Sequence, residues 1–273
     1  MTINCKGNLI DLSEPKVMGI LNITPDSFFD GGAYKNEAAI LDQVEKMLSE
    51  GATFIDVGAY SSRPGAAHVS EEEELKRILP VIQLLVQKFP NILISVDTFR
   101  SKIAQECVLV GAAIINDISG GNMDPKMFQT VAKLQVPYIV MHMLGTPQNM
   151  QKNPIYKSVT HELISFFADK IHQLHVLKVN DVLIDVGFGF GKAPAHNFEL
   201  LKNLALFKNI EVPILIGVSR KSMLYKTLDI SAQEALNATT SANTIALLNG
   251  ANILRVHDVK EAVEAVKIVA QIR

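Results

Sequence analysis

Cysteine is almost missing from this chain. Two residues, Cys5 and Cys107, stand far apart in 273. They provide neither a disulfide framework nor the close spacing of a metal site, and Cys107, inside a helical pattern, reads as a buried and inert thiol. Long apolar runs are missing as well: none reaches the roughly 18 residues needed to span a bilayer. The opening MTINCKGNLIDLSEPK has no apolar h-region of the kind a signal peptide carries. A soluble, cytoplasmic protein is expected. There is no basic excess, with 26 Lys and Arg against 28 Asp and Glu, so no basic stripe of the kind a nucleic-acid partner requires. No Pro-, Ser- or Gly-rich linker interrupts the chain, and residues 1–273 are expected to form a single domain around one large core.

What is present is alternation. Short β-type runs occur at residues 17–22, 53–57, 92–97, 112–117, 137–142, 182–187, 213–219 and 251–257. Between them lie amphipathic stretches such as NEAAILDQVEKMLSE and SEEEELKRILPVIQLLVQKF, with apolar residues three and four apart. Eight strand–helix units predict a parallel sheet closed as a (β/α)8 TIM barrel. The leading INCKGNLIDL predicts a hairpin around Lys6-Gly7-Asn8 that closes the bottom of the barrel. Ser70 with Glu73 fits a capping box, and the acidic run after Ser70 suits a helix N-terminus, so no chemistry is assigned to it.

Several motifs mislead. GFGFGK (187–192) fits neither a dinucleotide fingerprint nor a Walker loop, since Lys192 stands where the third glycine should be and Ala193 follows the lysine. GVSRK lacks the closing glycine of a nucleophile elbow. His172 and His175 share a helix face without a third ligand, and HELIS at His161 lacks the second His of a zincin.

The strand ends are more informative. ILNITPDSFFDGG (20–32) leaves an apolar strand at Asn22 for an acidic, hydroxyl-bearing, glycine-rich loop, and nearly every strand repeats the pattern. In order come Asn22; Asp56 with Ser61, Ser62 and Arg63 beyond it; Asp97; Asn116 and Asp117; His142; Asp185; Ser219, Arg220, Lys221 and Ser222; Arg255 and His257. In a parallel barrel these ends share one face, where active sites are assembled. Arg63, Arg220, Lys221, Arg255 and His257 suit a phosphate or diphosphate. Asp97, Asn116 and Asp185 suit the edge of a flat heterocycle with amino and lactam groups. No Ser-His or Cys-His pair suggests a covalent nucleophile.

From about Val17 to the end, ILNITPDSFFDGG, IDVGAYSSRPGA, SVDTFR, INDISGG, MHMLGTPQNMQ, DVGFGFGK, GVSRKSM and RVHDV follow one another as in the bacterial dihydropteroate synthase family, which the chain resembles. The resemblance implies a barrel enzyme of folate synthesis, a sulfonamide target and usually a homodimer. Its reaction joins 4-aminobenzoate to a dihydropterin methyl diphosphate with Mg²⁺, by an SN1-like route. It places Asn22 near Mg²⁺ and diphosphate; Asp97, Asn116, Asp185 and Lys221 on the pterin; and Arg255 and His257 on the diphosphate, with Arg255 also against the pterin. Ser62 would touch both substrates. Phe28, Ser62, Arg63, Pro64, Phe190 and Ser222 would surround 4-aminobenzoate, and Asp30, Arg63 and Lys221 would serve catalysis. TPDSFFDGG is expected to act as a lid over the reacting centre. Where many members read Gly-Glu-Ser-Thr-Arg-Pro-Gly, this chain has Gly-Ala-Tyr-Ser-Ser-Arg-Pro-Gly, so Tyr60 replaces a glutamate. The rival readings are a pterin-dependent methyltransferase, which has no use for a diphosphate site, and a catalytically silent pterin-binding homologue.

Overall fold

The computed structural model describes residues 1–23, 33–60, 69–151 and 153–272. Two short strands, β1 (Thr2–Cys5) and β2 (Asn8–Asp11), pair antiparallel. Both residues between them, Lys6 and Gly7, have positive φ, as the tight hairpin turn matching strand twist requires. Eight parallel strands then close a ring: β3 (Lys16–Asn22), β4 (Phe54–Gly58), β5 (Ile94–Asp97), β6 (Ile114–Asp117), β7 (Tyr138–Met141), β8 (Val182–Asp185), β9 (Ile214–Ile216) and β10 (Ile253–Val256). Each pairs with the next in sequence, and β10 pairs back onto β3. The expected barrel and hairpin are both present.

Most of the strands are shorter than the apolar patterns that announced them. The run at 213–219 yields only Ile214–Ile216, because its last residues leave the ladder and turn toward the mouth. All five residues of β4 are buried, which is why these strands read as continuous apolar runs: the barrel interior covers one face and the helices the other.

The helices follow their strands. They are α1 (Ala33–Ser49), α2 (Glu71–Lys88), α3 (Ser101–Leu109), α4 (Met127–Leu134), α5 (Val159–Val176), α6 (Pro194–Lys202), α7 (Ser222–Tyr225), α8 (Leu236–Leu248) and α9 (Val259–Ala270), with a 3₁₀ turn at Leu204–Ile210. One apolar cluster fills the space between helices and strands. A second plugs the barrel bottom, where Ile3, Cys5 and Leu12 pack on Met18, Phe54, Ile114, Ile139, Leu183, Leu215 and Ile253. The hairpin is therefore the floor of the barrel. Cys107 is buried in α3, and burial pushes its thiol up to about 12, so it stays a protonated core residue. Among the described residues, no helix is long and apolar enough to cross a membrane.

The cap on α2 departs from its sequence reading. Ser70 Oγ accepts the Glu73 N–H at 3.2 Å, but the Glu73 carboxylate turns to Arg77 at 2.8 Å rather than back to Ser70. Glu74 is not a surface charge at all. It is fully buried, accepts Thr98 Oγ1 at 2.7 Å and pairs with Arg100.

Candidate functional site

Strand register places the polar ends side by side. Gly58 lies opposite both Asn22 and Asp97, Asp97 opposite Asn116, and Met141 opposite Asp185. Because all eight strands point the same way, these residues share the carboxyl rim of the barrel.

Arg255 is the hub. Its Nε donates to Asp56 Oδ2 at 2.5 Å and its Nη2 to Asp97 Oδ2 at 2.8 Å. Asn116 Nδ2 also donates to Asp56 Oδ2, at 3.1 Å. Burial pushes Asp97 up to about 7 against the pull of Arg255, with Asp56 adding to the rise. Asp185 is also raised by burial, opposed by the Gly187 N–H that its Oδ1 accepts at 2.8 Å and by Lys221 and Arg255 nearby. Burial and the charge of Arg255 bring Lys221 down to about 8. Its ammonium lies 4.3 Å from the centre of the Phe190 ring, a cation–π contact. The predicted group of Asp97, Asn116, Asp185, Lys221, Arg255 and Phe190 is therefore brought together.

At the rim, Ser219 Oγ accepts the backbone N–H of His257 at 3.2 Å and lies 3.0 Å from its Nδ1. With two lone pairs and one proton, the hydroxyl can accept the backbone N–H and still either donate to Nδ1 or accept from it, according to the ring tautomer. His257 is exposed. Ser222 is exposed at the start of α7. Asn22 is half-buried, and among the described residues its amide makes no hydrogen bond. Phe28, Asp30, Ser62, Arg63 and Pro64 lie outside the described residues, as does most of the expected lid.

Three strand-end groups serve other ends. Arg220, expected among the phosphate-binding cations, is committed to Asp258 through two bonds of 3.0 and 2.6 Å. Asp117 accepts Tyr138 Oη, Ser119 Oγ and two backbone N–H groups, which makes it an internal fastener. His142 faces Lys192.

Lys192 is what the sequence reading missed. Its ammonium is buried within 3.0 Å of His142 Nδ1, Gly187 O and Phe190 O and 3.1 Å of His142 O. Burial brings it down to about 7. It ties the loop carrying Phe190 to the end of β7. Gly187 is required there: its φ is +67°, and a Cβ would stand 2.1 Å from His142 O. Glu74 does a similar job next door, since Arg100, which it holds, lies over the rings of Tyr60 and Phe99. Tyr60 packs edge-on against Phe99 and accepts Gln148 Nε2 at 2.9 Å. Tyr60, the departure noted in the sequence, is thus a built part of the rim.

The donor set bears on a metal. Among the described residues no three His, Cys, Asp or Glu side chains converge on an ion. A lone amide oxygen at Asn22 fits a hard cation such as Mg²⁺, which keeps several waters and is bound largely through substrate phosphates.

A closed parallel barrel that gathers carboxylates, an amide and two cations at its carboxyl rim has the architecture of an α/β-barrel enzyme. The family model for pterin binding enzymes matches residues 18–257. The dihydropteroate synthase of Escherichia coli (strain K12) is 44% identical over 98% of this chain and 95% of its own length. A dihydropteroate synthase structure from Yersinia pestis with a sulfonamide drug superimposes with a TM-score of 0.93 at 44% identity, covering 100% of this chain and 99% of that one. One from Xanthomonas albilineans with 7,8-dihydropteroate does so with a TM-score of 0.89 at 34% identity, covering 100% and 98%. The chain belongs to the pterin-binding enzyme family and, within it, to the dihydropteroate synthases, transferases of folate biosynthesis.

Proposed function

We propose that the carboxyl rim performs the synthase reaction with the residue roles that its geometry favours, and that residues 1–273 act as one domain. The pterin lies among Asp97, Asn116 and Asp185, whose acceptors and amide match its amino-pyrimidinone edge, with the plane of Arg255 against the ring. Lys221 contributes a further donor and sits over Phe190, which walls the neighbouring 4-aminobenzoate pocket together with Phe28, Ser62, Arg63, Pro64 and Ser222. His257 and Arg255 anchor the diphosphate, with Ser62 beside it. The observation that carries this reading is the hydrogen-bonded chain Asn116–Asp56–Arg255–Asp97, which gathers groups from four strands around one opening.

In this reading the carbon–oxygen bond to diphosphate breaks first and its electron pair leaves with the diphosphate. The dihydropterin ring spreads the positive charge left on its methylene carbon. The lone pair of the arylamine then forms the carbon–nitrogen bond, and the nitrogen releases a proton to water. An arylamine is neutral at pH 7, so no strong base is needed. The protein's task is electrostatic: Arg255, His257, Lys221 and Arg63 hold the departing anion, Asp30 sets negative charge near the cation, and the TPDSFFDGG lid excludes water. Asn22 would hold Mg²⁺, which when bound offsets charge on the diphosphate. The exposed apolar Ile245 and Leu248 of α8 and Ile268 of α9 support a homodimer built on the last helices, and the composition supports a cytoplasmic enzyme. The test is formation of 7,8-dihydropteroate and diphosphate from the two substrates with Mg²⁺. Pterin binding without product would favour a silent homologue.

A further inference from the structure

Asp117 and Asp56 are both strand-end aspartates and both fully buried, yet their surroundings differ. Asp117 is satisfied by four donors from its own loop and from Tyr138. Asp56 receives two, Arg255 Nε at 2.5 Å and Asn116 Nδ2 at 3.1 Å, both on Oδ2. Its Oδ1 is buried with no partner among the described residues, and so is the hydroxyl of Ser95, its register neighbour on β5. An aspartate kept only for the fold would be satisfied as Asp117 is, because an idle buried carboxylate oxygen carries a desolvation penalty.

The chemistry of the two bonds says what Asp56 does. An ionised carboxylate only accepts, so the Asn116 amide must turn its NH₂ toward Asp56. Its Oδ1, bonded by no described residue, is left as an acceptor. Arg255 is a rigid plane pinned at Nε by Asp56 and at Nη2 by Asp97, and two pinned atoms fix the orientation of a planar fork.

We propose that Asp56 is a positioning residue of the transferase. It sets the amide polarity of Asn116, so that the pocket offers an acceptor to a ring N–H of the substrate, and it fixes the plane of Arg255. The inference rests on Asn116 and Arg255 facing the pterin, as proposed above.

Four proteins test it: wild type, Asp56→Ala, Asp56→Asn and Asn116→Ala. Calorimetric affinity for the pterin diphosphate, KM for 4-aminobenzoate at saturating pterin, and melting temperature are measured on each. Asp56→Ala, which removes the acceptor of both bonds, is expected to weaken pterin binding tens-fold and to leave the 4-aminobenzoate KM within twofold. Arg255 Nε and Asn116 Nδ2 meet on one oxygen, and the amide oxygen of Asp56→Asn accepts both, so at least fivefold of the lost affinity returns in that variant. Pterin affinity within twofold of wild type in Asp56→Ala, or an Asp56→Asn protein that binds no better than Asp56→Ala, overturns the proposal. If Asn116→Ala itself binds the pterin normally, the pocket assignment fails and takes the proposal with it; if only Asp56→Ala binds normally, the pocket stands and the role of Asp56 falls. Should Asp56→Ala not fold, Asp56→Asn decides alone: a folded protein within tenfold of wild-type affinity supports the role, and a folded one that does not bind refutes it.

Discussion

Replacing Lys192 by Met should change how stability depends on pH more than stability itself. The ammonium is buried among four acceptors, and burial brings it from 10.5 to about 7. Between those values the unfolded chain binds the extra proton and the folded one does not, so the contribution of this lysine to stability rises with pH across that window. Relative to an untitrated residue, the folded state bears roughly 4 kcal/mol of penalty at pH 7 and roughly 2 kcal/mol at pH 9. Methionine removes that penalty, but it also strips donors from His142 Nδ1 and three carbonyl oxygens. That loss costs roughly 1 kcal/mol or more for each acceptor left unpaired. The two effects nearly cancel at pH 7. At pH 9 the wild type should lead by roughly 2 kcal/mol more than at pH 7, a melting-temperature gap wider by about 4 °C for a chain of this length. Thermal unfolding of both proteins at pH 7, 8 and 9 measures this gap, and other titrating groups cancel because both proteins carry them. Parallel curves would refute the buried, partly neutral lysine. Loosening the Phe190 loop should also raise the 4-aminobenzoate KM of the variant.

Three further outcomes are expected. Asp185→Asn should weaken pterin diphosphate binding by about 2 to 3 kcal/mol, because the oxygen not used by Gly187 can accept charge-assisted bonds; a calorimetric affinity within twofold of wild type removes Asp185 from the site. With Asp97 near 7 and Lys221 near 8, kcat/KM for the pterin substrate should climb through about pH 7 as the carboxylate ionises and decline above about pH 8 as the ammonium loses its proton, and a profile flat from pH 6 to 9 contradicts both assignments. Asp30→Ala should lower turnover roughly ten- to a thousandfold with pterin affinity largely intact, whereas Asn22→Ala should raise the Mg²⁺ requirement; an Asp30→Ala enzyme of normal turnover but lower melting temperature would make Asp30 a turn former only.

The barrel was legible because its strands are buried on both faces and each ends abruptly in polar residues, two signals that local sequence carries. The partnerships within the site were not, since they depend on ring closure: Arg255 and Asp56 are 199 residues apart and meet only because β10 returns to β3 beside β4. Position at a strand end therefore could not separate Asp56, which orders the rim, from Asp117, which its own loop consumes, or a free cation from Arg220, which Asp258 holds. Two misses had local signals. Glu74 lies on the same helical stripe as Ile78, Ile82 and Leu85, so its phase marked it as inward-facing even within an acidic run. Lys192 follows three alternating glycines and shortly precedes Pro194, the first residue of α6. That glycine-rich turn brings backbone carbonyl oxygens together in a largely apolar loop, and a cation placed there is more easily spent on those carbonyls than on a phosphate. The failed nucleotide motif thus pointed to a fastener: the residue that made GFGFGK look like a ligand loop is the one that holds the loop, and with it Phe190, against the strand beside it.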